Sequence, residues 1–238
     1  MPPRRATTSP RTRNPRGEGS RLREEIVAAA ADLLEHGTAT AVTLRAVARA
    51  AGITAPSIYR HFADVEAILR GVADDAFAEL REDLRRAQDR AGERPVHRLL
   101  EICRCHLDFA RSRPERYRLM FGGARNAADG HGPAGRAPAG RDAFVVLVDA
   151  VSACIAARES TSTDAHADAT ALWVGLHGLA GLREATPPFP WPPGLEDRLV
   201  RTLARITRTR PSPAPGRPVR RPGGHPATGP PAPSHLGP

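Results

Sequence analysis

Between Thr43 and Phe62 the chain reads TLRAVARAAGITAPSIYRHF, and its polar residues suit recognition of a partner better than its chemical conversion. Arg60 carries a planar guanidinium with several donors, Tyr59 and His61 carry rings with a hydrogen-bonding atom, and Thr54 and Ser57 carry hydroxyls. Ile58 and Phe62 are four apart and face inward on a helix, so Ser57, Tyr59, Arg60 and His61 cannot all share the buried stripe. Several must face solvent or a partner. Catalytic patterns are absent from the sequence: there is no Gly-rich phosphate loop, no nucleophile elbow and no pair of acids in a plausible pocket. Cys103, Cys105 and His106 come nearest to a metal set, but residues two apart splay on a helix. The cysteines are read as small buried apolar residues, and their odd number suggests no disulfide framework. No catalytic residue, metal or cofactor is expected. The alternative of an enzyme acting on a small molecule would show itself as chemical change of that molecule.

The elements that position these side chains are legible. Thr43 is a helix N-cap, since its hydroxyl can accept from a first-turn amide. Leu44, Val47, Ala48 and Ala51 then fall on one helical face. Gly52 follows, where a helix commonly ends in a left-handed residue. Ile53 plugs the gap, Thr54 caps again, and Pro56 sits in a first turn that does not need its N–H. Two short helices joined by a tight turn can place the second in a DNA major groove.

Helix follows helix along the rest of the chain. A first helix runs from about Ser20 to His36, with Ile26, Ala29, Ala30 and Leu33 at helical spacing and Gly37 at its end. Asp64 caps a long fourth helix reaching about Ala91. Further helices are expected over about 95–112, 114–121, 141–158, 164–185 and 195–207. No segment alternates with period two, so the fold class is all-α. Residues 1–19 read as a disordered basic arm with Arg4, Arg5, Arg11, Arg13 and Arg16, residues 122–140 as a mobile loop, and residues 208–238 as a disordered Pro/Arg-rich tail. Aromatics are only 4% of the chain, so its core must rest on Ala, Leu, Val and Ile. A net charge of +9 suits a polyanionic partner, although all 35 basic residues are Arg and part of the excess reflects composition. No apolar run could span a bilayer, no apolar segment follows the first arginines, and a cytoplasmic location is expected.

From Arg23 to Val72 the chain resembles the TetR family of bacterial one-component transcription regulators. The resemblance rests on Ile26, Ala30, Gly37, Thr43, Val47-Ala48, Ala51-Gly52-Ile53, Ile58-Tyr59, His61-Phe62, Glu66 and Leu69. It implies an N-terminal three-helix DNA-binding domain over 20–66, with the third helix in the major groove at Thr54 to His61. Ala55, Pro56, Ser57 and Arg60 are candidates for base contact: Arg60 can fork onto guanine, and Ala55 or Pro56 can touch a thymine methyl. Tyr59 and His61 are implied to set register on phosphate or sugar, against the alternative that each is half-buried core. Thr43 and Arg45 would meet the backbone at a helix N-terminus. One position departs: the family usually places Lys at the start of the fourth helix, where this chain has Val65, so a phosphate contact is expected to be missing.

PERYRLMF, with Trp173 and His177-Gly178, resembles the WHG-type C-terminal domain of that family. It implies a helical-bundle ligand-binding and dimerisation domain over 67–207. Phe77, Leu80, Phe109, Tyr117, Phe121, Trp173 and His177 are the candidate effector-pocket residues, with plain core packing as the alternative for each. The expected partners are double-stranded DNA, an unknown small-molecule effector and a second copy of the chain, without a membrane. The expected function is a homodimeric repressor released from a palindromic operator by that effector. The competing DNA-binding reading is a non-specific, nucleoid-type protein using its basic tails.

Overall fold

The computed structural model describes residues 19–121 and 140–207. The basic arm up to Glu18, the loop over 122–139 and the tail from Arg208 lie outside the described residues. The described chain is built of helices: α1 (Gly19–Glu35), α2 (Leu44–Ala50), α3 (Ala55–Ile58), α4 (Val65–Arg90), α5 (Pro95–Ser112), α6 (Pro114–Phe121), α7 (Arg141–Ala156), α8 (Ala165–Ala185) and α9 (Leu195–Leu203).

Local chemistry sets the helix ends. Thr43 accepts from the Ala46 amide at 3.2 Å, Asp64 from Ala67 at 2.6 Å and Asp164 from Ala167 at 2.9 Å. Each satisfies an amide that the first turn leaves without a partner. Proline opens α5 and α6, where its missing N–H costs nothing. Gly52 adopts φ +66 in the turn between α2 and α3, a conformation that costs a residue with a Cβ about 1–2 kcal/mol.

Two apolar cores form along these helices. The first gathers Ile26, Val27, Ala30 and Leu34 of α1, Val47 and Ala48 of α2, Ile58, Phe62, and Ile68, Leu69 and Val72 of α4. The second takes the rest of α4 and packs it with α5 to α9 through Leu80, Leu84, Leu99, Ile102, Leu147 and Leu172, among others. At about 1.5 Å per residue the 26 residues of α4 span roughly 39 Å, enough to serve both. α6 also touches both, since Leu119 packs against the first core while Tyr117 and Met120 are buried in the second.

Three local features differ from the sequence expectation. α3 is a single turn, Ala55–Ile58, and the chain to His61 closes with a tighter bond from the His61 amide to the Ile58 carbonyl at 2.8 Å. Asp64 must already be extended to cap α4, so no room remains for a longer helix. A short 3₁₀ turn, Ala39–Ala41, stands after Gly37. α9 ends at Leu203 rather than Thr207, because the residues beyond it bond to the α7–α8 connection. There the Thr161 amide donates to the Arg205 carbonyl at 3.0 Å and the Thr207 amide to the Glu159 carbonyl at 2.9 Å. α9 lies so close to α8 that a Cβ on Gly175 would sit 2.7 Å from Leu203.

Candidate nucleic-acid interface and interior polar chain

The helix-turn-helix presents one polar face. Ile58 and Phe62 are buried beneath it, and Thr43, Arg45, Thr54, Pro56 and Arg60 are exposed above. Tyr59 is 60% exposed, which separates it from the core and leaves its ring on the same face. Ala55, Ser57 and His61 are half-buried. The Thr54 and Ser57 hydroxyls lie 2.8 Å apart and bond to each other. Arg45, Arg49 and Arg60 meet no acid among the described residues. The face therefore offers guanidinium, phenol and imidazole groups that no carboxylate among the described residues neutralises. Val65 packs on the first core, so the position where the family usually has Lys is used for burial.

The second core holds a different polar arrangement. His106 on α5 is 1% exposed, and its Nε2 lies 3.0 Å from the Tyr117 hydroxyl of α6. That hydroxyl also bonds Nδ1 of His177 on α8. Aromatic rings surround the three groups: His106 and Trp173 centroids are 5.1 Å apart, Phe121 and His177 4.1 Å, Phe77 and Phe121 5.2 Å, and Phe144 and Trp173 5.7 Å. Burial, with the neighbouring His177 as a lesser cause, lowers the His106 pKa from 6.5 to about 3, and burial lowers that of His177 to about 4. Both imidazoles are neutral at pH 7. Burial pushes the Tyr117 phenol up, so it keeps its proton. The other nitrogen of each ring, His106 Nδ1 and His177 Nε2, is buried without a partner among the described residues.

A cavity of about 350 Å³ lies between α5, α6, α8 and α9. Its buried wall is Leu107, Ala110 and Tyr117, and its rim carries Asp108, Arg111, Arg183, Glu184 and Glu196. Each rim charge is paired. Arg111 lies 2.8 Å from Asp108, Arg183 holds Glu196, and the Arg118 Nε lies 2.8 Å from Glu184.

The structure brings Phe77, Tyr117, Phe121, Trp173 and His177 of the sequence-expected pocket residues into one aromatic cluster. Leu80 is fully buried in the surrounding core. Phe109 stands apart: it is buried, with the Arg113 guanidinium 4.9 Å from its ring centre. His106 is the polar residue that sequence reasoning missed as part of this cluster. A signal for it exists, since it sits in the apolar register of α5 between Cys103 and Ala110. Cys103 is wholly buried while Cys105 is partly exposed, and burial pushes the Cys105 thiol up to about 11. The cysteines are therefore protonated thiols.

A helix-turn-helix with an exposed basic face, followed by a body of helices, is the arrangement of a DNA-binding protein. Residues 26–72 match the model for bacterial regulatory proteins of the tetR family, and residues 99–206 match the tetracyclin repressor-like C-terminal domain. The chain belongs to the TetR family, whose members are DNA-binding transcription regulators. No curated protein matches it. Among solved structures it is similar to a protein of unknown function from Rhodococcus sp. RHA1, with 26% identity over 77% of this chain and 91% of that one, at TM-score 0.62. A TetR family transcription regulator from Marinobacter aquaeolei VT8 is 16% identical over 81% of this chain and all of its own length, at TM-score 0.58. RolR, solved in complex with resorcinol, is 14% identical over 79% of this chain and 88% of its own, at TM-score 0.60. At those identities the last two share the fold. No helix among the described residues is long and apolar enough to cross a membrane.

Proposed function

We propose that this regulator is a homodimeric repressor that reads a palindromic operator and leaves it when a small molecule binds its interior. Residues 20–66 form the DNA-binding head, and 67–207 the ligand-binding and dimerisation part. The carrying observation is the exposed face of α2, α3 and the residues just after it, where Arg60 and Tyr59 stand beside arginines that meet no acid among the described residues. On this reading Ala55, Pro56, Ser57 and Arg60 read base edges, and Thr43, Arg45, Thr54, Tyr59 and His61 hold the backbone.

Dimerisation is supported by α8. Ala171, Val174, Gly178, Gly181 and Leu182 recur at helical spacing on an exposed side without charge, and Val174 is 64% exposed. A second copy covering that stripe would give the two-fold that a palindrome needs. Substituting Val174→Arg is expected to yield monomers in light scattering and to abolish cooperative binding to an inverted repeat. A folded Val174→Arg protein that remains dimeric would put the dimer interface elsewhere.

Effector release is supported by α6. Tyr117 and Phe121 belong to the aromatic cluster, while Arg116 pairs with Glu35 of α1 at 2.6 Å and with Glu79 of α4 at 3.0 Å. A ligand that shifts α6 changes contacts to the head and favours a spacing of the two recognition helices that misses adjacent grooves. RolR, which shares the fold, was solved with a small aromatic ligand, which supports an interior site of this kind.

The test is selection of bound fragments from a random DNA pool at about physiological salt, where non-specific affinity is weak. Recovery of an inverted repeat is the expected outcome. Recovery of unrelated sequences by folded protein would favour the non-specific reading.

A further inference from the structure

The helix-turn-helix is not alone at its end of the fold. Val27 of α1 packs so closely on α4 that a Cβ on Gly71 would sit 3.0 Å from it. Farther along both helices, Arg116 joins Glu35 of α1 to Glu79 of α4. The two helices therefore run side by side in the same direction, and the first turns of α1 lie level with the start of α4. α4 begins just after the segment that carries Tyr59, Arg60 and His61. The N-terminal end of α1 thus stands beside the proposed DNA face.

Arg23 occupies that end. It is one turn before Val27 and on the same side of α1, since residues four apart are neighbours on a helix. The residue is exposed, yet its guanidinium is held 4.7 Å from the centre of the Phe62 ring. Phe62 is itself buried and directly follows His61. Arg21 gives the contrast, because its Nε lies 3.1 Å from Glu25. Arg23 has no such partner among the described residues. Its charge reaches the Asp75 carboxyl of α4, but no ion pair joins them.

A guanidinium is planar, always charged and weakly hydrated, and it carries five donors, so contact with a ring leaves donors free. Holding it over the ring also narrows its freedom in advance, and less is lost when it meets an anion. The anion that a duplex presents beside a recognition helix is phosphate. Arg23 stands on α1, outside the helix that enters the groove, so backbone rather than base edges is within its range.

Resting on the reading of this protein as DNA-binding, we propose that Arg23 of α1 contacts a DNA phosphate, so that the interface extends beyond the helix-turn-helix onto the first helix. Phe62 holds the guanidinium in place, and the contact fixes register without reading sequence.

DNA titrations of the full chain over a salt series test this, with the selected operator or, should none be recovered, a random-sequence duplex. Arg23→Met keeps an unbranched side chain over Phe62 and removes the charge. It is expected to flatten the slope of log affinity against log salt by about 0.9, the share of one phosphate, and to leave any sequence preference unchanged. Arg23→Lys should restore the slope, and Arg21→Met should keep that of the unaltered chain. Arg23→Gln serves as the second uncharged variant should Arg23→Met lose its helical signal, with the same flattening expected. An unchanged slope for the folded uncharged variant would leave Arg23 only the task of covering Phe62 and would overturn the proposal. Equal flattening by Arg21→Met would overturn it as well, because any lost charge would then have the same effect. Should the unaltered chain bind no DNA at any salt, this contact and the wider reading both fall. Should it bind while the uncharged variant keeps its slope, the contact alone falls.

Discussion

Arginine lives in two different settings in this fold. At the α5–α6 corner, Arg113 lies 2.8 Å from Glu79, Arg116 reaches Glu35 and Glu79, and Arg118 holds Glu115 and Glu184. On the helix-turn-helix face Arg45, Arg49 and Arg60 have no acid among the described residues. An excess of arginine from composition alone would not sort itself this way between the two regions. A missing acid does not by itself mark an interface, since Arg198 and Arg201 on α9 are also exposed and meet none among the described residues. What sets the helix-turn-helix apart is company: Arg45 and Arg49 stand on α2, and Arg60 stands just past α3 beside an exposed Tyr59. Charge that is paired inside the fold is spent on structure, and charge left open is available to phosphate.

The interior offers the largest effect with which to sharpen this contrast. Unfolded histidine takes up its proton near 6.5, whereas folded His106 and His177 resist until about 3 and about 4. Below pH 6.5 the unfolded chain therefore holds more protons than the folded one, and acid favours unfolding. These groups add nothing to the slope above pH 7. Between pH 6.5 and about 4 each is expected to remove about 1.4 kcal/mol of stability per pH unit. Urea midpoints across that range check it, with His106→Gln losing one proton's share of the slope. Identical slopes for both proteins would mean that His106 protonates freely in the fold.

The contrast between the two sets of arginines predicts a double dissociation of intermediate size. Arg116 is 19% exposed and bridges two carboxylates. Arg116→Ala should cost about 1–2 kcal/mol of stability, less than a fully buried pair because solvent still screens it. Arg60→Ala should leave the melting temperature unchanged and weaken specific DNA binding about tenfold to a hundredfold. Melting curves and operator titrations of both proteins decide it. An Arg60→Ala protein that melts early, or binds its operator as before, would break the comparison.

Much of this architecture could be read from the chain. The caps at Thr43 and Asp64, the prolines at 95 and 114 and the apolar stripe of α4 are local signals, and the helices they bound stand where those signals put them. The buried Ile58 and Phe62 fix which side of α3 faces out, so its polar face follows. The interior chain was harder to see. His106, Tyr117 and His177 are separated by 11 and 60 residues, and only the packing of α5, α6 and α8 brings their polar atoms together. Spacing within a helix shows that a residue is buried, but it cannot say which polar atom of another helix it will meet. The shortened α9 has the same origin, because its end is set by backbone bonds to Glu159 and Thr161 across the fold.

The smallest expected effect concerns the basic arm, which lies outside the described residues and enters here through its charge. Val65 occupies the place where the family usually has a lysine, and its side chain is packed on the first core. On the proposed reading, the regulator therefore has one phosphate contact fewer than a relative with that lysine. Each phosphate neutralised contributes a slope of about −0.9 to the dependence of log affinity on log salt, so losing one contact lowers the slope by about one unit. The arm carries Arg4, Arg5, Arg11, Arg13 and Arg16 against Glu18, enough charge to replace that contact. Removing residues 1–19 should therefore flatten the salt dependence by one unit or more and leave the preferred operator sequence unchanged, because contacts to phosphate carry no base information. Operator titrations of both proteins over a salt series check this. Equal slopes would mean that the exposed arginines of α2 and α3 bind the phosphates without help, and the contrast between open and paired charge would then rest on the folded residues alone.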